Sequence, residues 1–366
     1  MFWAPTRCLT HRSGDKSGPP TVHSPTRNAL LHSPSRSAVA PARGARCHRR
    51  VFSVPSHFRN RPFTREEALR SGISRGVLQG PQFRRIYDGI YCYVDHSPTF
   101  ADRLAAARLA LPASARSTGI TRIQELGIDH GPRHPLHFVV EGDLHLSIDG
   151  IFLHRTVKAP PQDDCGVTAA AAYVAYCAEA RTIDAIKVGC ELLRLELLDL
   201  DDLDQIVCEE KWRRGVQETA YVRRYLTDRC RSMPEAELLA YVVASRLASP
   251  EVNVEVEIAP GVRVTPDLWF AAPRAAAEYE GSQHQEDRAQ YNADIDRYAA
   301  YRRHDVAYEL VTKERLRTPR TAMRALHALL VSRGYEGAPP EFGAEWDALF
   351  MRLTDVVRGA APARGE

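Results

Sequence analysis

The chain has 366 residues, 44% of them hydrophobic and 26% charged, which is ordinary for a soluble globular protein with room for two or three domains. No apolar run approaches ~18 residues, so we expect no membrane span. The net charge is +3, but residues 1–50 alone carry nine Lys or Arg and a single acid, which leaves −5 for the remainder. A uniformly basic nucleic-acid-binding protein is therefore excluded, and any such binding must come from local patches.

Residues 1–50 have no hydrophobic periodicity and are rich in Ser, Pro, Arg and His. This composition predicts a disordered basic tail. The Arg-rich, acid-poor character is also typical of an organelle transit peptide. A solvated tail and translated sequence upstream of the true start are the alternatives, and the sequence does not decide whether these residues belong to the mature protein.

Residues 51–96 combine two helix starts with a hairpin. Thr64 with Glu67 has the pattern of a capping box, and a second short helix begins at Ser74. Two strand-like pieces then flank Asp88-Gly89, a strong hairpin turn. Two helices and a hairpin in about forty residues predict a winged helix-turn-helix.

Three arginines of this segment, Arg75, Arg84 and Arg85, lie where a second helix and a wing would face a DNA backbone. The alternative is a winged helix used only for packing or protein contacts. The segment resembles the N-terminal antitoxin domain of the abortive-infection (type IV) toxin–antitoxin family in Pro62-Phe63-Thr64 and in the run from Arg84 to Tyr91. That resemblance implies DNA as a partner and a cognate toxin as a further candidate partner.

Residues 97–230 are predicted to form a mixed α+β middle region that links the two ends. Four histidines lie near its strands without the spacing of a metal site. The eight cysteines of the chain include no C-x-x-C pair, which argues against zinc and disulfides and favours a cytoplasmic location. The predicted elements are helices over Thr99–Leu111, Thr118–Leu126, Thr168–Ala180 and Thr182–Leu198, and strands over His137–Val140 and Ile151–Thr156.

Residues 231–336 alternate between helical and strand patterns in the order α-β-β-β-α-β-α. The remaining residues, 337–366, are treated as a C-terminal extension. The predicted elements are a helix from Ser232, strands over Val252–Ile258, Val262–Phe270 and Ala275–Tyr279, a helix over His284–His304, a strand over Val306–Val311 and a helix over Thr318–Arg333.

The second and third of these strands form a hairpin that carries three acids, Asp267, Glu278 and Glu280. Acids are depleted from strands and are seldom buried unless they are paired or bind a metal. Glu278 and Glu280 point to one face because strand side chains alternate. If the register brings Asp267 opposite them, three carboxylates converge, and Mg²⁺ or Mn²⁺ is the simplest neutralising partner.

This segment resembles the PD-(D/E)XK nucleases of the restriction-endonuclease-like fold, and more closely an actinobacterial family related to very-short-patch-repair endonucleases. Pro266-Asp267 matches the PD element, and Glu278-Tyr279-Glu280 follows eleven residues later. The remaining matches are Ser232-Met233-Pro234-Glu235, Pro250-Glu251-Val252-Asn253-Val254, Gln283-His284, Tyr291 and Asp294.

The resemblance implies metal-assisted hydrolysis of phosphodiester bonds. Asp267 and Glu278 would hold Mg²⁺, with the Tyr279 carbonyl and Glu235 as further ligands. Glu280 replaces the usual lysine and cannot supply a positive charge to the phosphate. His284 is the candidate substitute as an acid or base.

Each of these residues also has a structural interpretation. Glu235 fits a capping box with Ser232, and Asp267 and Glu278 fit edge-strand charges that prevent aggregation. His284 fits a helix cap. Two hypotheses therefore follow from the sequence: a Mg²⁺-dependent DNA endonuclease, or a DNA-binding, antitoxin-like regulator whose nuclease fold is inactive.

Overall fold

A computed structural model describes residues 52–281 and 288–360, and these belong to one compact unit of mixed α/β structure. The mixed class predicted from the sequence is confirmed. The predicted tail over residues 1–50 and the candidate residue His284 lie outside the described residues. Among the helices described, none has the length and apolar character needed to cross a membrane.

The N-terminal segment contains a small sheet in the order β1-β3-β2 and two short helices. Thr64 accepts a hydrogen bond from the Glu67 N–H (3.0 Å), which confirms the predicted cap. Phe58, Phe63 and Phe83 pack together beneath the sheet. The elements are β1 (Phe63–Thr64), α1 (Arg65–Arg70), α2 (Arg75–Leu78), β2 (Phe83–Tyr87) and β3 (Ile90–Tyr93), preceded by a 3₁₀ turn at Ser56–Phe58.

The middle region surrounds a second sheet, in the order β4-β5-β6, in which β5 and β6 are parallel. Its predicted helices and strands are present within a few residues of the expected bounds. The elements are α3 (Phe100–Ala110), β4 (Arg116–Ser117), α4 (Gly119–Glu125), β5 (Leu136–Glu141), β6 (Ile151–Thr156), α5 (Ala169–Cys177), α6 (Thr182–Arg194), α7 (Leu200–Glu209), α8 (Val216–Val222) and a 3₁₀ turn at Arg223–Tyr225.

The C-terminal segment contains a four-stranded sheet in the order β7-β10-β11-β12. Its first three strands are antiparallel neighbours, and β12 joins β11 in parallel. The elements are α9 (Met233–Ala244), β7 (Glu251–Val252), β8 (Val256–Ala259), β9 (Val262–Val264), β10 (Leu268–Phe270), β11 (Ala275–Glu280), α10 (Arg288–Arg303), β12 (Ala307–Thr312), α11 (Lys313–Leu316), α12 (Pro319–Ser332), α13 (Ala344–Ala348) and α14 (Leu353–Ala360).

Two strands expected to be continuous are each divided. Asn253 has a left-handed backbone (φ +49°), which ends β7 and makes β8 a separate strand. Pro266 between β9 and β10 lacks the N–H that a continuing ladder requires. As a result β8 and β9 form their own two-stranded ribbon outside the four-stranded sheet.

One hydrophobic core joins the middle region to the C-terminal segment. Helix α6 packs along α9, and the buried side chains of both helices belong to the same cluster. Trp346, Leu349 and Leu353, from the end of the chain, are buried in that cluster as well. The α6–α9 contact brings residues of the middle region to the candidate site described below.

Candidate active site

The hairpin of β10 and β11 brings two of the predicted carboxylates together. Leu268 pairs with Ala277, so the next step of the same register sets Asp267 beside Glu278 where the hairpin ladder ends. The backbone N–H of Tyr279 donates to Asp267 Oδ2 at 2.7 Å and fixes that carboxylate over the strand. The register therefore produces the pairing that the sequence predicted for Asp267 and Glu278.

Glu278 is fully buried and is held from helix α10. The Tyr301 hydroxyl donates to its Oε1 at 2.6 Å, and Arg297 Nη2 lies 3.1 Å from its Oε2. Oε2 has no well-aligned hydrogen-bond donor among the described residues. Burial raises the pKa of Glu278 to about 7, against the opposing effects of Arg297 and Tyr301.

Asp267 is in a still less favourable position for a lone anion. Burial raises its pKa well above the ordinary value, and repulsion from Glu278 and Glu235 adds to the rise. The single hydrogen bond from Tyr279 opposes this only in part. A cation beside the two carboxylates would relieve both the burial and the repulsion.

Arg297 is the cationic residue that the sequence analysis missed. It pairs with Asp294 at 2.9 Å as well as with Glu278, and its guanidinium lies over the ring of Tyr298. Its buried Nε has no acceptor among the described residues. The spacing of Asp294, Arg297, Tyr298 and Tyr301 along one helical face was the available signal, because residues three and four apart share a face.

The other two predicted acids have separate partners. Glu280 accepts a hydrogen bond from the Tyr298 hydroxyl at 2.9 Å. Glu235 accepts from Ser232 Oγ, from the Arg231 N–H and from Asn253 Nδ2, each at 2.8 Å. The Ser232 hydroxyl caps α9 by accepting from the Glu235 N–H, but Glu235 bonds the Arg231 N–H and not the Ser232 N–H that a reciprocal capping box requires. Within residues 52–281 and 288–360, no group of three or more His, Cys, Asp or Glu side chains is arranged to hold a metal. The expected convergence of three carboxylates is thus replaced by a pair.

Asp267 lines a cavity of about 870 Å³, whereas the fully buried Glu278 does not. The walls of this cavity carry acidic side chains and several cationic ones. Two come from α6 and its start, where Arg181 pairs with Asp184 (2.7 Å) and Lys187 with Glu237 (2.5 Å). The middle region is therefore part of the site and not only a link between the ends. Arg231, Lys313 and Arg317 also line the cavity, and within the described part of the chain none of these three forms an ion pair.

Asp267 and Glu278 would suit a divalent cation that also binds a substrate phosphate and water. Mg²⁺ is commonly held by one or two carboxylates together with substrate phosphate and water, so a pair is sufficient. Glu278 Oε2 accepts no hydrogen bond among the described residues but lies 3.1 Å from Arg297 Nη2, so a metal ion bound there would share this oxygen with Arg297. The unpaired Nε of Arg297 offers a donor to an anion. Asp267 and Glu278 are the two side chains that would hold the ion.

Neither a known family model nor a curated protein sequence matches this chain.

The three N-terminal arginines are exposed but differ in their partners. Arg75 begins α2 and, among the described residues, has no ion-pair partner. Arg84 donates to the His96 carbonyl at 3.2 Å, and Arg85 lies 3.6 Å from Asp88. Arg84 and Arg85 are consecutive on β2 and so project to opposite faces. Only one of the two can share a surface with Arg75.

Proposed function

We propose that this protein hydrolyses phosphodiester bonds in DNA with the help of a divalent cation held by Asp267 and Glu278. The observation that carries the proposal is the buried pair itself, adjacent at the end of a hairpin, with Asp267 lining a cavity that also carries cationic side chains. The strand order β7-β10-β11-β12 and the flanking helices agree with the restriction-endonuclease-like core that the sequence resembles.

The cavity walls supply the binding groups for a phosphate backbone. Arg231, Lys313 and Arg317 are exposed and can meet phosphate oxygens at little cost. A charged backbone entering this cavity would be drawn toward the carboxylates only if their own charge were neutralised. Asp267 and Glu278 would hold a divalent cation, which would supply that neutralisation and polarise the phosphate.

Arg297 takes the place of the lysine that the related nucleases carry on this strand. Glu280, which occupies that position, is engaged by Tyr298 and has no positive charge to offer. Arg297 approaches the same carboxylate pair from α10, and its unpaired Nε can donate to a phosphate oxygen. We assign to Arg297 the stabilisation of charge that develops on the phosphate during hydrolysis.

The N-terminal segment would position the enzyme on duplex DNA as a winged helix-turn-helix. Its short helices, its hairpin and the exposed Arg75 support that role. Contacts of this kind act on the phosphate backbone and set position without specifying sequence.

One observation favours the alternative function, a DNA-binding regulator with an inactive nuclease fold and a toxin as partner. Arg297 already neutralises part of the charge on Glu278, so the site is stable without a cation. In that case the carboxylates would serve the fold alone, and DNA binding would be independent of metal.

Separate assays of cleavage and binding distinguish the two functions. We expect Asp267→Ala to abolish metal-dependent nicking of plasmid DNA while DNA affinity, measured in chelator, stays nearly unchanged. Glu255→Gln is the matched control, because Glu255 is an exposed acid paired with Arg263 on the neighbouring ribbon. Loss of cleavage and binding together in Asp267→Ala would contradict the assignment, as would cleavage that survives the substitution.

A further inference from the structure

A second cavity, of about 830 Å³, lies against strand β6 and exposes two large aromatic side chains. Phe152 on β6 is 51% exposed, and Trp212, in the loop between α7 and α8, is 52% exposed. We call this cavity the aromatic groove. It shares no lining residue with the carboxylate cavity. Exposed aromatic rings that line one groove indicate a binding surface, because leaving such area in water is unfavourable.

Strand alternation explains how Phe152 comes to face the groove. Ile151 and Leu153 turn inward and pack in the cluster beneath α3. Phe152 and His154 turn to the other face, where their rings lie 4.6 Å apart between centroids. His137 from β5 extends this layer, with its Nδ1 3.0 Å from His154 Nε2. The result is a continuous aromatic surface of three rings.

Trp212 is held in place from one side. The Arg213 guanidinium lies 4.7 Å from the centroid of its ring. Arg213 is in turn almost buried and forms an ion pair with Glu210, which also lies 3.5 Å from Lys158. A fixed aromatic ring loses little conformational entropy when a flat ligand stacks on it. The Trp212 ring is therefore ready to stack before any ligand arrives.

Two arginines that line the groove form surface ion pairs that a ligand could break. Arg155, which follows His154 on β6 and so projects to the other face from Phe152, pairs with Asp143 at 2.5 Å and is 45% exposed. Arg214 pairs with Glu179 at 2.5 Å and is 65% exposed, and both acids also line the groove. Ion pairs at the surface contribute little to stability. Arg214 can therefore exchange a carboxylate for a phosphate at small cost.

We propose that the aromatic groove binds single-stranded nucleic acid, with bases stacked on Phe152 and Trp212 and a phosphate met by Arg214. Proteins that bind single-stranded nucleic acid combine flat aromatic side chains with exposed arginines. Every base has a face that can stack on an aromatic ring, and every phosphodiester group carries a negative charge. An apolar peptide would use the rings but would gain nothing from Arg214. The inference rests on residues separate from the carboxylate pair and does not require cleavage.

The test measures binding of fluorescein-labelled oligo(dT) and of a duplex of the same length to the full chain in chelator, by anisotropy. We expect Trp212→Ala and Phe152→Ala each to weaken binding of the single strand by about tenfold, and to leave unchanged the duplex binding that the N-terminal segment and the carboxylate cavity would supply. Leu146→Ala is the control, an exposed apolar side chain outside the groove. Trp212→Phe keeps a stacking ring and should restore most of the affinity.

Fluorescence of Trp212 gives an independent readout. Of the four tryptophans, Trp269 and Trp346 are buried and Trp3 lies outside the described residues, so the quenching that belongs to Trp212 is identified by its loss in Trp212→Phe. Failure of oligo(dT) to bind, or equal affinity for all variants with retained melting temperatures, would overturn the proposal. Displacement of the apolar dye ANS from the groove without oligonucleotide binding would also overturn it, in favour of a protein or apolar ligand.

Discussion

The two cavities of this protein have similar volumes and opposite construction. The carboxylate cavity lies beside the buried carboxyl groups of Asp267, which lines it, and Glu278, which does not, and its walls carry both cationic and acidic side chains. The aromatic groove is organised around the uncharged rings of Phe152 and Trp212, with its charges at the surface. Buried charge demands a specific partner, whereas an exposed ring accepts many flat ligands. The first construction suits chemistry on a phosphate, and the second suits stacking.

The largest expected effect comes from breaking the ion pair between Arg297 and Glu278 beside the carboxylate cavity. Arg297→Gln leaves Glu278 buried without its cation, and we expect the free energy of unfolding to fall by about 3 kcal/mol at pH 7.5. Arg303→Gln, an exposed arginine on the same helix, is the control and should change it by less than about 0.5 kcal/mol. Urea unfolding measures both. Equal small effects would mean that the pair contributes nothing to the site.

The pH dependence of stability should have opposite signs in the two cavities. Burial raises the pKa of Glu278 to about 7 from 4.5, so its stabilisation is complete below about pH 4.5 and is lost as the pH rises to about 7. Burial lowers the pKa of His154 to about 4 from 6.5, so its stabilisation is complete above about pH 6.5 and is lost as the pH falls to about 4.

Single variants separate these two contributions. Between pH 4.5 and 6.5, acidification should lower the stability of Glu278→Gln more than that of the wild type. It should lower the stability of His154→Gln less than that of the wild type. The difference from the wild type should be at most about 1.4 kcal/mol per pH unit. Melting curves in chelator provide the measurement. A shift of the same sign in both variants would contradict the contrast between the cavities.

Glu235 should stabilise the start of α9 and not act as a catalytic acid. Glu235→Ala removes three hydrogen bonds at the start of α9, and we expect it to lower the free energy of unfolding by about 1–2 kcal/mol. Glu235→Gln keeps the acceptor and should retain nicking activity within about threefold. A much larger loss of activity in a Glu235→Gln protein of normal stability would return this residue to the catalytic set.

The smallest effect concerns the N-terminal arginines. Arg75→Ala should weaken duplex binding modestly and lower the slope of log affinity against log salt by about 1. Arg85→Ala should have less effect because Arg85 already lies beside Asp88. Anisotropy titrations at several salt concentrations compare the two. Unchanged duplex binding in both variants would show that this segment does not contact DNA.

The sequence predicted the parts of the site that violate local preference. Asp267 and Glu278 were identifiable because acids are rare in strands, and the hairpin register then joined them. Arg297 was not predicted because an arginine in a polar helix is ordinary. Its contact with Glu278 arises only from the packing of α10 against the hairpin. Lys187 escaped for the same reason, since the packing of α6 on α9 is a tertiary contact that no local pattern specifies.

The fold prediction succeeded where the signal is local and failed where the conformation depends on tertiary contacts. Helix starts such as Thr64 and Ser232 were predicted from their caps, which are local. The division of the strand predicted over Val252–Ile258 was missed because it depends on the left-handed backbone of Asn253, whose side chain bonds Glu235 and the Arg229 carbonyl. That conformation is imposed by partners distant in sequence.

The most direct test of the account is nicking of supercoiled plasmid by purified protein with Mg²⁺, with Mn²⁺ and with chelator, beside the Glu278→Gln variant. We predict nicking that requires a divalent cation, disappears in chelator, returns when the ion is restored, and is lost in Glu278→Gln. Absence of nicking under all conditions, by protein that still binds DNA in a salt-sensitive manner, would contradict the account and favour a regulator with an inactive nuclease fold.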